Sequence, residues 1–218
     1  MATISEEIQT GPPEIEADEH QRASTFAAVY AAQPLSLRLF TVAEYDKMIA
    51  AGILDEDERV ELLEGVILTM SPKGNPHSTA TDRAARCFIK RLDDRALVRN
   101  QNPIRLDECS VPEPDLVLAK PQAKEYSDRK PRPEDILLIL EVADSTLRLD
   151  RQKKSRLYAR AGIGQYLILN LKARGLEDYR QPSADGYRSK QTYSAGQSFN
   201  LVAFPEVTIS VDELLPPA

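Results

Sequence analysis

"ILLILEVADS", residues 136–145, decides the fold. Ile136 to Leu140 run without a polar break, the pattern of a strand covered on both faces. Glu141 follows at the end of that run. An ionised carboxylate there costs several kcal/mol unless it is paired or ligates a metal; otherwise its pKa shifts until it is neutral. Either the strand leaves the core at Glu141, or something positive meets the carboxylate.

Upstream, "PEPDLVLAK" (112–120) contains a second strand. Pro114 cannot donate to a ladder, so this strand effectively begins at Asp115. If 115–119 and 136–142 pair antiparallel, the start of one lies beside the end of the other, and Asp115 neighbours Glu141. Two carboxylates that close leave one protonated unless a cation sits between them. A hard divalent ion with oxygen ligands, Mg²⁺ or Mn²⁺, is the natural occupant, and Glu141 is expected where the strand leaves the core, facing that ion.

Downstream, "DRQKKSRLYARAG" (150–162) reads as a helix that stops at Gly162. Lys154, Leu157, Tyr158 and Ala161 form an i, i+3, i+4, i+7 stripe, whereas Lys153 shares a face with Arg156 and Arg160. Lys154 therefore points back toward the strand, where it can offset charge developing on a phosphate or position an attacking water. Asp150 reads as the N-cap of this helix and Tyr158 as core. Glu61, near Arg59, and His77, in the Pro/Gly-rich stretch "SPKGNPHS" (71–78), are candidates to complete the site as an acid or a base. The plainer reading of His77 is a solvated loop histidine.

The rest of the chain alternates helices and hairpins. Thr41 and Glu44 form a capping-box pattern in "TVAEYDKMIAAG" (41–52), and "RVELLEGVILTMSP" (59–72) reads as a hairpin about Glu64-Gly65. A helix is expected from Ser78 to about Asp94, with Ala84, Ala85, Phe88 and Leu92 on its apolar face. "ALVRNQNPIRL", "QYLILNL", "LEDYRQ" and "YRSKQTYS" read as strands, and "VTISVDELL" as a strand and a helical turn. Hairpins outnumber βαβ units, so the expected class is α/β or α+β around a mixed, mostly antiparallel sheet.

Composition narrows the function. The net charge is −6, but six acids and no Lys or Arg fall within the first 20 residues, leaving 28 of each sign in 21–218. A formally neutral body is not one that coats nucleic acid by bulk attraction. Basic residues such as Arg83, Arg86, Lys90, Arg148, Arg151 and Lys153 could contact phosphates, or simply be solvated. Residues 1–35 read as an acidic tail, with "STFAAVYAA" (24–32) able to form a short helix, and 36–218 as one domain. Cys87 and Cys109 lack disulfide or zinc spacing. No apolar stretch is long enough to cross a membrane, and the expected location is cytoplasmic.

From about Leu37 the chain resembles the Uma-type restriction-endonuclease branch of the PD-(D/E)XK nuclease superfamily. The resemblance is carried by "ELLEG", "MSP" with His77, "PEPDL", "ILEVADST", "DRQKKSRLY" and the closing "VTISVDELL". It implies a restriction-endonuclease-like core and Mg²⁺-dependent cleavage of DNA. Asp115 and Glu141 would be metal ligands, with the backbone carbonyl of Val142 as a third. The lysine usual two residues after the glutamate is Ala143 here, and Lys154 supplies it from the next helix. Leu167 stands where the family often has Trp. Cutting both strands favours a homodimer. The alternative is a catalytically silent member that serves as a binding or assembly module, with Glu141 and Lys154 as a buried ion pair.

Overall fold

The computed structural model describes residues 37–55, 58–70 and 72–217. The expectations for the acidic tail and for a helix at 24–32 lie outside the described residues. The compact unit is Leu39–Ala218.

Helix α1 (Val42–Ala50) starts as its capping box predicts: Thr41 Oγ1 accepts from Glu44 N–H at 3.2 Å, and Glu44 Oε2 accepts from Thr41 N–H at 2.9 Å. Strands β1 (Val60–Leu63) and β2 (Val66–Thr69) form the hairpin, turning through Glu64 (φ 51°) and Gly65 (φ 81°). Position 65 requires glycine, since a Cβ there would lie 2.6 Å from that of Leu39.

Helix α2 (Asn75–Leu92) begins three residues earlier than expected, because Pro76 in the first turn gives up only an N–H that would have had no helical partner. His77 is therefore helical and 8% exposed, not a solvated loop residue. The segment "ALVRNQNPIRL" yields only β3 (Leu97–Asn100), since Gln101 turns out at φ 51°. Ile104 and Leu106 are held by loop hydrogen bonds to Pro112 and Ser110.

Next come β4 (Leu116–Ala119) and β5 (Ile136–Ala143). A helical segment then passes from α3 (Leu147–Leu149) through a π-turn (Asp150–Lys154) into α4 (Ser155–Arg160). β6 (Gln165–Asn170), β7 (Gly175–Ser183), β8 (Gly186–Ser194), β9 (Ser198–Asn200), β10 (Thr208–Ser210) and α5 (Val211–Leu214) complete the order. The six-stranded sheet runs β3-β4-β5-β6-β7-β8, with only β5 and β6 parallel. It is the expected mixed, mostly antiparallel sheet flanked by helices.

β5 is covered on both sides. Leu138, Leu140 and Val142 join the core beneath α2 and α5, while Ile139 and Ala143 face Leu157 and Tyr158 of α4. One expectation fails here: the strand does not leave the core at Glu141. It stays buried through Ala143, and Glu141 is 4% exposed. Flanking layers seal both faces to the end of the strand, so the carboxylate is met inside the protein.

Candidate active site

The β4–β5 register, Leu116 opposite Leu140, sets Asp115 across from Glu141 at adjoining strand ends. The two meet through the backbone: Asp115 N–H donates to Glu141 Oε2 at 3.3 Å, and Val142 N–H donates to Asp115 Oδ2 at 2.9 Å. Among these contacts Val142 enters as a donor through its N–H.

Each carboxylate also faces a cation. Lys154 Nζ and the Tyr158 hydroxyl both donate to Glu141 Oε1, at 3.0 and 2.9 Å. The same ammonium lies 3.3 Å from Glu61 Oε2, which accepts from Glu113 N–H. His77 Nε2 is 3.0 Å from Asp115 Oδ2, and Lys73 Nζ is 3.2 Å from Oδ1, close enough to pair but off the line of a hydrogen bond. All five candidate side chains, Asp115, Glu141, Lys154, Glu61 and His77, thus come together. They line a pocket of about 340 Å³ that also takes in Met70, Lys73, Glu113, Ser145 and Asp150.

Two sequence readings change. Asp150 does not cap the helix from outside. It sits within the π-turn, 2% exposed, accepting from Thr146 Oγ1 at 2.7 Å. The cap is unnecessary because the helical segment already begins at Leu147. Tyr158 is core, fully buried, but its hydroxyl also holds Glu141. Lys73 and Glu113 join the site with little signal in the sequence beyond closeness to His77 in "PKGNPH" and to Asp115 in "PEPD".

The electrostatics show an excess of carboxylate. Burial pushes Glu141 up to about 8 and Asp150 up to about 6, against the pull of Lys154. Burial also raises Glu113, with Lys73 opposing it. Asp115 goes the other way: burial opposes its charge, but His77, the Val142 N–H and Lys73 outweigh burial and hold it below the usual range. For Lys154, burial is outweighed by Glu141, Glu61 and Asp150, and the ammonium is held well above its ordinary value. Both Glu141 and Lys154 grip protons more tightly than in water, as a cluster short of positive charge must.

Among the described residues, no three His, Cys, Asp or Glu side chains converge closely enough to hold a metal ion as they stand. The donor chemistry nevertheless suits a hard divalent ion. Six carboxylates, Glu61, Glu113, Asp115, Glu141, Asp144 and Asp150, line the pocket with two lysines, Lys73 and Lys154. Of the basic residues noted in the sequence, Arg83 donates to the Asp212 carbonyl and Arg151 pairs with Glu177, so both have structural partners. Arg86, Lys90, Arg148 and Lys153 are exposed. Cys87 is buried and Cys109 half-buried, both free, and no helix among the described residues is long and apolar enough to cross a membrane.

No curated protein matches the sequence. Among solved structures, a "putative nuclease" from Anabaena variabilis is similar, with a TM-score of 0.62 at 12% identity, over 80% of this chain and 97% of that one. At that identity the likeness speaks for the fold. Residues 42–212 match the family Uma2, described as "Putative restriction endonuclease". That match spans most of the chain, from α1 into α5, and the chain belongs to the Uma2 family.

Proposed function

We propose that the pocket hydrolyses phosphodiester bonds of DNA with the help of a divalent cation, Mg²⁺ or Mn²⁺. The observation that carries this reading is the buried convergence of Asp115, Glu141 and Lys154 at the adjoining ends of β4 and β5, along the wall of a pocket. Family membership and the fold support it.

Asp115 and Glu141 would hold the ion, with the Val142 carbonyl as a proposed third ligand. When bound, the ion supplies a Lewis acid that stabilises negative charge on the phosphoryl group. The protein's own groups do the rest. Lys154 stays protonated between Glu141 and Glu61, so its positive charge is available to a phosphate entering the pocket. Tyr158 and Lys154 share Glu141 Oε1 and so fix that carboxylate from one side. Glu61, tied to Lys154 and to the Glu113 N–H, is the candidate to orient or deprotonate water. Severing a duplex needs a second site for the second strand, so a homodimer is the proposed working form.

A specific observation favours a second reading, a silent member of the family. Asp115, Glu141 and Glu61 already have partners from the protein itself, and such a network can serve structure alone. Cleavage of supercoiled plasmid separates the two. The nuclease reading expects nicking or linearisation that requires Mg²⁺ or Mn²⁺ and disappears in Glu141→Ala. No cleavage by folded protein with either metal would favour the silent module. Stability in chelator gives a second check. Lys73, His77 and the Val142 N–H favour the charge of Asp115, so Asp115→Asn should cost some stability yet leave the metal-free protein folded. Its unfolding would count against a metal site.

A further inference from the structure

The start of α2 has features that the proposed hydrolysis of DNA does not use. Gly74 is the N-cap residue, no side chain caps the helix, and the first turn contains no acid. The first helical hydrogen bond runs from Ser78 N–H to the Gly74 carbonyl, so the N–H groups of Asn75 and His77 have no partner within the helix. Pro76 contributes none. Gly74 is not required by backbone strain, since its φ is −79°. Nor is it required by crowding, because a Cβ there would meet only Pro76 Cδ, at 3.7 Å. Ser, Asp or Asn would cap an 18-residue helix better.

Two side chains beside this helix end are also incompletely used. Among the described residues His77 Nδ1 is buried without a hydrogen-bond partner, and its side chain is 10% exposed. The contact with Asp115 uses Nε2, and Nδ1 is left over. Lys73 Nζ is buried too, near Asp115 but making no hydrogen bond. Pro72, Lys73, Gly74 and His77 all line the same pocket as Glu141. Uncapped N–H groups, a helix dipole, an ammonium and a spare imidazole nitrogen form a site for a tetrahedral oxyanion.

We infer that Lys73, His77 and the uncapped N-terminus of α2 form a phosphate-binding subsite beside the Asp115–Glu141 carboxylates. Its ligand class is a phosphate mono- or diester; at a working nuclease centre, which this inference takes from the function proposed above, it would be a phosphate of the substrate or product strand. Lys73 and the helix N–H groups donate to phosphate oxygens. The spare nitrogen of His77 adds one further polar contact to a phosphate oxygen. Gly74 leaves the N–H groups free for the ligand.

Inorganic phosphate is the test probe. The chain has two histidines, His20 and His77, so their ring-proton NMR resonances can be separated with His20→Gln. Titration of the full chain, in chelator and again with Mg²⁺, should move the His77 resonance saturably and leave His20 still. Lys73→Gln should weaken that response at least tenfold. Gly74→Asp should remove it while melting no lower than wild type, because the new side chain caps the helix and occupies its N–H groups. Glu141→Gln should keep the response. No saturable movement of His77 in either buffer overturns the subsite, as does an unchanged response in both Lys73→Gln and Gly74→Asp. Phosphate binding with no cleavage of DNA would leave the subsite standing and sink the nuclease reading. Cleavage without phosphate binding would do the reverse.

Discussion

Glu141 and Glu177 stand in one row across the sheet, Glu141 opposite Ile168 and Ile168 opposite Glu177, so their side chains share a face. Both are about 4% exposed, yet their environments are opposite. Glu177 is over-supplied with donors: it pairs with Arg151 and Lys190 and accepts from the Tyr179 hydroxyl at 2.7 Å. Burial works against its charge, but those three hold it down to about 2. Glu141 shares one lysine with Glu61 and faces Asp115 and Asp150, and burial takes it up to about 8. The contrast separates a carboxylate that ties elements together from one set in a cluster with more negative charge than its own cations can balance. The second arrangement costs stability and is the kind found where a ligand supplies the missing charge.

The largest expected effect tests this directly. Lys154→Met leaves Glu141 and Glu61 without their shared cation and should cost about 3–5 kcal/mol, read by urea unfolding in chelator near neutral pH. Arg151→Met removes one of two cations from Glu177, and that arginine side chain is 42% exposed, so its loss should be well under half as great. Equal losses would erase the distinction between the two regions.

Next comes pH, where the two regions should respond with opposite sign. Glu177 has a depressed folded pKa, so its contribution is present above its unfolded value near 4.5 and is lost as pH falls toward about 2. Its integrated size is of order 3 kcal/mol. Glu177→Gln should flatten that acid limb of the melting profile. Asp150 has a raised folded pKa, so its proton favours folding at low pH and that advantage is lost as pH climbs from about 4 through about 6. Glu141, raised to about 8, adds to the same decline, so Asp150→Asn should lessen it and be as stable as wild type, or more so, at pH 8. A wild-type melting profile that does not fall between pH 4 and 7 would contradict the crowding of acids at the site.

A smaller effect compares two hydroxyls. Tyr158 donates to Glu141 and Tyr179 to Glu177, so each Tyr→Phe change removes one bond to a charged group and should cost about 1.5–3 kcal/mol in chelator. Tyr179→Phe should lie at the lower end, since Arg151 and Lys190 remain. Addition of Mg²⁺ should stabilise wild type and, by tying down Glu141 independently, offset part of the Tyr158→Phe loss. It should leave Tyr179→Phe where it was. A Mg²⁺ response equal in both variants would place the effect away from Glu141.

Much of this was legible in local pattern. The unbroken apolar run 136–140 fixed a strand covered on both faces, and the antiparallel pairing inferred with 115–119 put Asp115 beside Glu141. Helical spacing singled out Lys154 over Lys153, and the two differ as that spacing requires, the first 5% exposed and the second exposed to solvent. Such features depend on periodicity, proline chemistry and capping, which act over a few residues and leave their mark in the sequence.

Tertiary structure decided what those patterns could not reach. That Glu141 stays inside the core follows from α2 and α4 closing over both faces of β5, a property of layers far apart in the chain. His77 became a helical, buried partner of Asp115 because Pro76 starts α2 early and the helix carries the ring across 38 residues of sequence separation. Lys73 gained meaning only there as well, and so did Glu113, whose backbone rather than its carboxylate touches Glu61. The sequence determined which side chains carry charge and which strand and helix present them. Only the packed structure decided how many carboxylates share each cation, because that balance depends on burial and on contacts between segments dozens of residues apart.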